Sequence, residues 1–173
     1  AVLTTSPSLI VADLEADDLI ALADMPEAAN AIIINARSSN DQLRAENCRK
    51  NLFHTAPSWA MRSDALSQYM TWKKWRTWFL VHGSSAADLE YAAALKNSAR
   101  KFANKIVEER TITFEAGNRR TDTGHQQIQT QIPMLTQGVP EHDIVMVADV
   151  DESFGEFLQW RTSMPKPVAG TQG

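Results

Sequence analysis

At 173 residues, 43% hydrophobic and 22% charged, the chain has room for one domain or two small lobes around a sizeable core. A formal net charge of −4 gives no basic face of the kind nucleic acid requires, although a locally positive pocket for an anionic ligand stays compatible with it. No apolar run approaches the roughly 20 residues of a membrane-spanning helix.

The start, Ala1-Val2-Leu3-Thr4-Thr5, has neither the basic n-region nor the long apolar h-region of a signal peptide, so the compartment is not readable from it. Leu9-Ile10-Val11-Ala12 is a short apolar run, and Ala16 to Met25 is rich in helix formers and closed by Pro26. Ala31 to Asn35 is a buried strand, with the polar loop Arg37-Ser38-Ser39-Asn40-Asp41 leading into an expected helix from Gln42 to about Lys50. Leu52 to Thr55 is a third strand, followed by the turn Ala56-Pro57-Ser58. From Trp59 to about Lys74 the spacing is helical, with Met61, Ala65, Tyr69 and Trp72 as the apolar face and Leu66 and Met70 widening it.

Trp78 to Val81 is a strand ending at His82-Gly83-Ser84-Ser85, and a helix follows from Ala86 to about Ala103 with Leu89, Ala92, Leu95, Ala99 and Phe102 inward. A strand runs from Ile106 to Thr113. Glu115 to Gln131 is polar, carries Arg119 and Arg120, and reads as a loop entering a helix near His125. Ile144 to Ala148 is a strand ending at Asp149-Val150-Asp151-Glu152, with a helix expected from Ser153 to Arg161 and a last strand at Val168-Ala169. The chain stops just after that strand, which reads as a truncation. Apolar strands alternating with helices predict an α/β fold of parallel sheets covered on both faces. Ligands of such sheets bind outside the carboxyl ends of the strands, where the short polar loops lie.

Catalytic motifs are sparse. Gly83-Ser84-Ser85 lacks the lysine of a phosphate loop, and no strained serine elbow or metal-ligand spacing occurs. A hydrolase could be assembled only from scattered residues: Ser58, His54 or His82, and Asp149. Asp149, Asp151 and Glu152 read as an acidic strand-end loop capping the next helix. The lone Cys48 excludes an intrachain disulfide and is expected to be a small buried residue. Trp72, Trp75 and Trp78 beside Lys73, Lys74 and Arg76 read as a helix end packed on its sheet, covered by lysine stems. Trp59, at a helix start one turn before Arg62, is placed to stack on a planar ligand.

The passage Leu52-Phe53-His54-Thr55-Ala56-Pro57-Ser58, the long helix after it and the strand ending at Val81-His82-Gly83 resemble the type I periplasmic-binding fold of branched-chain amino acid and amide transporters. Several stretches are similar to the substrate-binding proteins associated with PQQ-dependent alcohol dehydrogenase systems: Val11-Ala12-Asp13-Leu14, Trp72-Lys73-Lys74-Trp75-Arg76, Ala148-Asp149, Phe154-Gly155-Glu156-Phe157-Leu158 and Pro167 to Gly173. One stretch departs, since Phe157-Leu158-Gln159-Trp160 stands where that group has a Tyr-Leu-Pro-Tyr-like sequence. The resemblance implies two three-layer αβα lobes, here part of lobe I (1–57) and most of lobe II (58–173). It implies a periplasmic, non-enzymatic solute-binding protein that closes by a hinge and docks on an ABC permease. Its ligand would be pyrroloquinoline quinone (PQQ), bound as cargo rather than as a catalytic cofactor, or an amino acid or amide as in the wider family.

PQQ is a flat quinone with three carboxylates, so its site should offer guanidinium groups, a stacking ring and helix N-termini. Arg37, Ser38 and Ser39 lie at one strand end, Ser58, Trp59 and Arg62 at a helix start, and Ser84 and Ser85 at another. Asp149, Asp151 or Glu152 is the candidate for the amine of an amino-acid ligand.

Overall fold

Ile32–Asn35, an isoleucine run too short for a helix, forms the middle strand of the first sheet in the computed structural model of the chain. The structure describes residues 7–113, 123–160, 162 and 165–171, and of 123–129 the backbone alone. Arg119 and Arg120 lie outside the described residues. By its contacts the chain divides into two units, Ala1–Arg62 and Ser63–Gly173. The sequence boundary of 57/58 falls a few residues earlier, at the start of the helix in which the division lies.

In the first unit β1 (Leu9–Ala12), β2 (Ile32–Asn35) and β3 (Leu52–His54) run parallel in that order. Ile10, Ile33 and Leu52 share one row of the register and Val11, Ile34 and Phe53 the next, on the opposite face. The first face is covered by α1 (Ala16–Ala23) and neighbouring turns, which bring Leu19, Ala23, Ala28 and Leu43 onto Ala12, Ile33 and Leu52. The other face is open: Val11 is 67% exposed and Phe53 53%, with Leu9 and Ile32 also exposed. A parallel sheet ordinarily has both faces covered.

In the second unit β4 (Thr77–His82), β5 (Lys105–Thr111), β6 (Ile144–Ala148) and β7 (Val168–Gly170) form a parallel sheet ordered β5-β4-β6-β7. Every residue of β6, and β4 from Trp78 onward, is buried, as a doubly covered central strand requires. β5 carries Lys105, Glu108, Glu109 and Arg110, charges that suit an edge. One face packs Phe79, Val81, Val145 and Val147 against Ile132 of α4 (Thr123–Thr136), Phe154 and Leu158. α3 (Ala86–Lys101) buries Tyr91, Ala92, Leu95 and Ala99. Leu89, expected in that stripe, is exposed.

α2 (Trp59–Lys73) turns a different face inward from the one its apolar residues predict. Ser63, Ser67 and Met70 are buried, whereas Met61, Ala65, Tyr69 and Trp72 are exposed, Trp72 at 72%. The reason is a close helix contact: Ser98 Oγ on α3 lies 2.9 Å from the Ser63 carbonyl and 2.7 Å from Ser67 Oγ. Small side chains allow that approach; the Ser98 hydroxyl links the Ser63 carbonyl to Ser67 Oγ within it, while Ser63 Oγ is itself buried without a partner. The outer rings gather around Lys73, whose Nζ lies 5.4 to 5.9 Å from the centroids of Trp72, Tyr69 and Trp75. Trp78 is fully buried and donates from Nε1 to the Trp75 carbonyl at 2.8 Å, so the expected packing on the sheet holds for Trp78 and not for Trp72.

Two expected helices are replaced by single turns. Residues 42–50 form only a 3-10 turn, Asp41–Arg44, because Ala45 (φ −123°, ψ −109°) leaves the helical region. Residues 153–160 likewise give only Gly155–Phe157, where the Asp149 carboxylate takes the amides of Ser153, Phe154 and Gly155. Cys48 is exposed rather than buried, since it sits on the irregular segment that replaces the first of these helices.

The amino ends of β4 and β6 are clamped by Asp143. It accepts from the amides of Arg76 and Thr77 at 2.8 Å each and from Thr77 Oγ1 at 2.7 Å. Above all the Thr77 backbone bond, then the Thr77 hydroxyl, holds its carboxyl below the usual carboxylate range, outweighing partial burial. A folded-state value below the unfolded one means that the clamp contributes fully above the ordinary carboxylate range and is lost as pH falls through the folded value. Asp143→Asn should therefore cost about 1–3 kcal/mol at neutral pH. Urea midpoints should fall less steeply for the variant than for the parent between about pH 5 and pH 3. Parallel pH profiles would show that the clamp does not titrate in this way.

Candidate ligand-binding loops

At the carboxyl end of β2, Asn35 is fully buried and organises the loop after it. Its Oδ1 accepts from the amides of Arg37 (3.0 Å) and Ser38 (2.8 Å), and its Nδ2 donates to the Ser38 carbonyl at 2.7 Å. The same Nδ2 lies 3.1 Å from His54 Nδ1, so that ring nitrogen is the acceptor. A hydrogen bond with the Leu43 backbone also engages the ring. Burial first, and then the charge of Arg44, lower the His54 pKa against that backbone bond, which keeps the imidazole neutral and fixed.

The start of α2 is closed from within. Trp59 N donates to the Ser39 carbonyl (2.9 Å), Ala60 N to the Asp41 carboxylate (3.0 and 3.2 Å), Met61 N to Ser58 Oγ (3.4 Å) and Arg62 N to the Ser58 carbonyl (3.0 Å). The first three are amides that a helix N-terminus leaves for an anion, and the fourth makes the first bond of the helix itself. Asp41 already supplies the negative charge that a ligand carboxylate was expected to bring there.

The side chains chosen for PQQ are similarly engaged. Arg37 is exposed and pairs with Glu15 at 2.8 Å and more distantly with Asp13 at 3.9 Å. Trp59 is only 8% exposed, and the Arg62 guanidinium lies 5.1 Å from its ring centroid. An open ring for stacking is therefore absent at Trp59 in this conformation. Arg44, which the sequence reading passed over, donates through Nη2 to the Ala56 carbonyl at 2.5 Å and tethers the two strand-end loops.

In the second unit, Ser85 caps α3, accepting from the Asp88 amide at 3.1 Å. Asp88 is buried, and its carboxylate accepts from Val150 N at 2.7 Å, which ties the loop after β4 to the loop after β6. Gly83 is required beside it, because a Cβ there would lie 2.2 Å from Asp88 Oδ2. Asp149 is buried with three amides on its carboxylate (2.7–2.9 Å), while its own amide donates to Thr171 Oγ1 at 2.7 Å. That satisfies it as a structural anchor and leaves little for a ligand amine. Glu152 is exposed on the same turn, with φ 54°.

His82 is buried at the end of β4, with Nδ1 2.7 Å from the Gly83 carbonyl and Nε2 3.2 Å from Glu109 Oε1 and 3.3 Å from Thr111 Oγ1. Glu109 also holds Lys96 at 2.8 Å. Burial works to raise the Glu109 pKa, but the Lys96 bond and charge, with His82, hold it below the ordinary value.

The geometry thus separates the candidates. Ser38, Ser58, Ser85 and Asp149 build the loops. Ser39 and Ser84 keep hydroxyls that make no hydrogen bond among the described residues. Ser84 is exposed at the start of α3, whereas Ser39 is buried at 7% exposure. His54 and Ser58, the pair a hydrolase would need, are each held by other partners. Among the described residues no group of three His, Cys, Asp or Glu side chains is placed to hold a metal, and no helix is long and apolar enough to cross a membrane.

No family model matches the chain, and no curated protein matches it in sequence. Solved structures do match in fold. A solute-binding protein of an ABC transporter from R. palustris, in complex with benzoate, superposes with a TM-score of 0.67 at 16% identity, covering 96% of this chain and 44% of that one. ABC-transporter substrate-binding proteins from Desulfitobacterium hafniense give TM-scores of 0.68 and, in complex with Leu, 0.66, at 12% identity and over 94% of this chain and 46% of theirs. The chain thus spans less than half the length of these neighbours, and the fold they share with it is the periplasmic-binding fold, an α/β architecture of parallel sheets.

Proposed function

We propose that the chain is the ligand-holding part of a periplasmic solute-binding protein that serves an ABC permease, and that its ligand is a small organic acid or amino acid. The observation that carries this reading is the state of the strand-end loops. Buried Asn35 and Asp149 hold them through side-chain-to-backbone hydrogen bonds, and Ser84 stands exposed at the start of α3. Pre-organised polar loops suit recognition of a carboxylate without covalent chemistry. In the alternative of a hydrolytic enzyme, His54 and Ser58 would have to give up the partners they hold here. Hinge closure on binding, which presents the liganded form to the permease, belongs to this reading.

Leucine, benzoate and PQQ, each titrated by calorimetry and thermal shift, test it. Binding of leucine or benzoate should stabilise the chain by about 2.7 kcal/mol at a hundredfold excess over Kd. Ser39→Ala and Ser84→Ala should each weaken binding roughly 3–10-fold, the worth of one neutral hydrogen bond. PQQ remains the finer expectation from the resemblance. It would be supported by saturable quenching of tryptophan fluorescence that is lost in Arg37→Ala and Arg62→Ala. Absence of binding by all three ligands, or turnover of an ester or amide, would overturn the reading.

A further inference from the structure

The segments that enter the second sheet, rather than those that leave it, enclose a cavity of about 160 Å³. It lies between the amino-terminal parts of β4 and β6, the loop from α4 into β6, and the approach to β7. Its floor is apolar and buried: Phe79, Val145 and Leu158. His142 stands edge-on to Phe79, ring centroids 5.5 Å apart, and Arg110 lies 5.8 Å over the Phe79 ring while donating to the Leu135 and Gln137 carbonyls. The end of α4 is thereby fixed as one wall.

The cation of the cavity is Lys166. Its Nζ pairs with Glu141 Oε1 at 2.8 Å, with the lysine side chain 23% exposed and the glutamate 83%. Lys166 lines the cavity along a mostly buried side chain, and its ammonium is held by a carboxylate that stands in water. A ligand carboxylate can replace that of Glu141 at little cost, because Glu141 is rehydrated as it leaves. Size sets the rest. A cavity of about 150 Å³ lined by Leu, Ile and Phe takes up benzene, so this one has room for a single ring or a branched chain of similar bulk.

We propose that this cavity is a second binding site, at the opposite end of the strands from the loops described above, for a small single-ring or branched-chain carboxylate. Its carboxylate would sit on Lys166 Nζ and its apolar part on Phe79, Val145 and Leu158. The inference is independent of the transport reading. It concerns different residues and holds or fails whatever the strand-end loops bind.

The test is a titration of the 173-residue chain, with Val and Leu methyls labelled, followed by NMR, using benzoate as the probe and benzyl alcohol as its uncharged counterpart. Expected are saturable shifts at Val145 and Leu158, at least tenfold weaker with benzyl alcohol. Lys166→Met should weaken benzoate binding at these methyls about tenfold or more. Glu141→Gln, which removes the competing carboxylate, should tighten it, a response that a purely structural pair would not give. Shifts confined to Val81, Val147 and Val150 would place benzoate at the strand carboxyl ends alone and overturn the proposal. So would a Lys166→Met variant that folds and binds unchanged, or weaker binding in Glu141→Gln.

Discussion

Gly170→Ala should destabilise the second unit by about 3–5 kcal/mol. Gly170 has φ 139°, a region that L side chains avoid. A Cβ there would fall 2.0 Å from the Val147 carbonyl oxygen and 2.8 Å from its carbon, backbone atoms of the strand beside it. The clash cannot be relieved by a rotamer, so β7 must lift from β6. That strand displacement puts at risk the Thr171 N bond to the Val147 carbonyl (3.1 Å) and the Thr171 hydroxyl under Asp149 (2.7 Å). Gly138→Ala is the control: its φ is 69°, but nothing lies within 4 Å of the added carbon, so only about 1–2 kcal/mol of backbone strain is expected. Urea unfolding of the full chain compares them. Equal losses in the two variants would mean that β7 does not approach β6 as closely as described.

Asp149→Ala should cost a similar 3–5 kcal/mol by a different route. The carboxylate accepts from three amides in sequence, those of Ser153, Phe154 and Gly155, and the residue is buried. Alanine leaves those donors without their acceptor, the Phe154 and Gly155 amides in a buried place, at about 1–3 kcal/mol each before relaxation. Asn should fall between, since its single carbonyl oxygen can keep part of the set. Hydrogen exchange gives the local readout, with the amides of residues 153–155 losing protection first in Asp149→Ala. If those amides stay protected while stability falls, the carboxylate acts through some other contact.

The strands were legible because they are runs of β-branched and aromatic residues bounded by polar turns, and β2, β4 and β6 lie within a residue of where their sequences place them. α3 was legible for its length and its Ser85 cap. What local pattern could not carry was the choice between two stripes on α2. Four apolar side chains at helical spacing are the stronger signal, yet the Ser63 and Ser67 side faces inward because Ser98, far along the chain, donates to the Ser63 carbonyl and to Ser67 Oγ. The two helices that became turns failed for a related reason. Asp149 looked like a helix cap, but its carboxylate gathers three successive amides into a turn that does not propagate.

The candidate site divides in the same way. Polar loops at strand ends were found from the sequence, and the structure places them there. Their free valences were not found, since Arg37 is paired with Glu15, Ala60 N with Asp41 and Val150 N with Asp88, all contacts between distant positions. Residue type and spacing select a place for a ligand, while these partners decide which groups still have something to offer it. The resemblance that named PQQ weighed types and order, and the likeness to proteins with benzoate and leucine does not extend to PQQ.

The uncovered face of the first sheet sets how this polypeptide should behave in a test tube. Leu9, Val11, Ile32 and Phe53 form a continuous oily plate on it. Molecules carrying such a plate are driven to shield it against whatever is at hand, including one another. Melting temperature should then rise with protein concentration, and dyes such as ANS should brighten on the folded chain and fade on crowding. A Phe53→Lys variant should abolish both trends while leaving the second unit's unfolding unchanged. A melting point quoted for this chain is therefore meaningful only alongside the concentration at which it was taken.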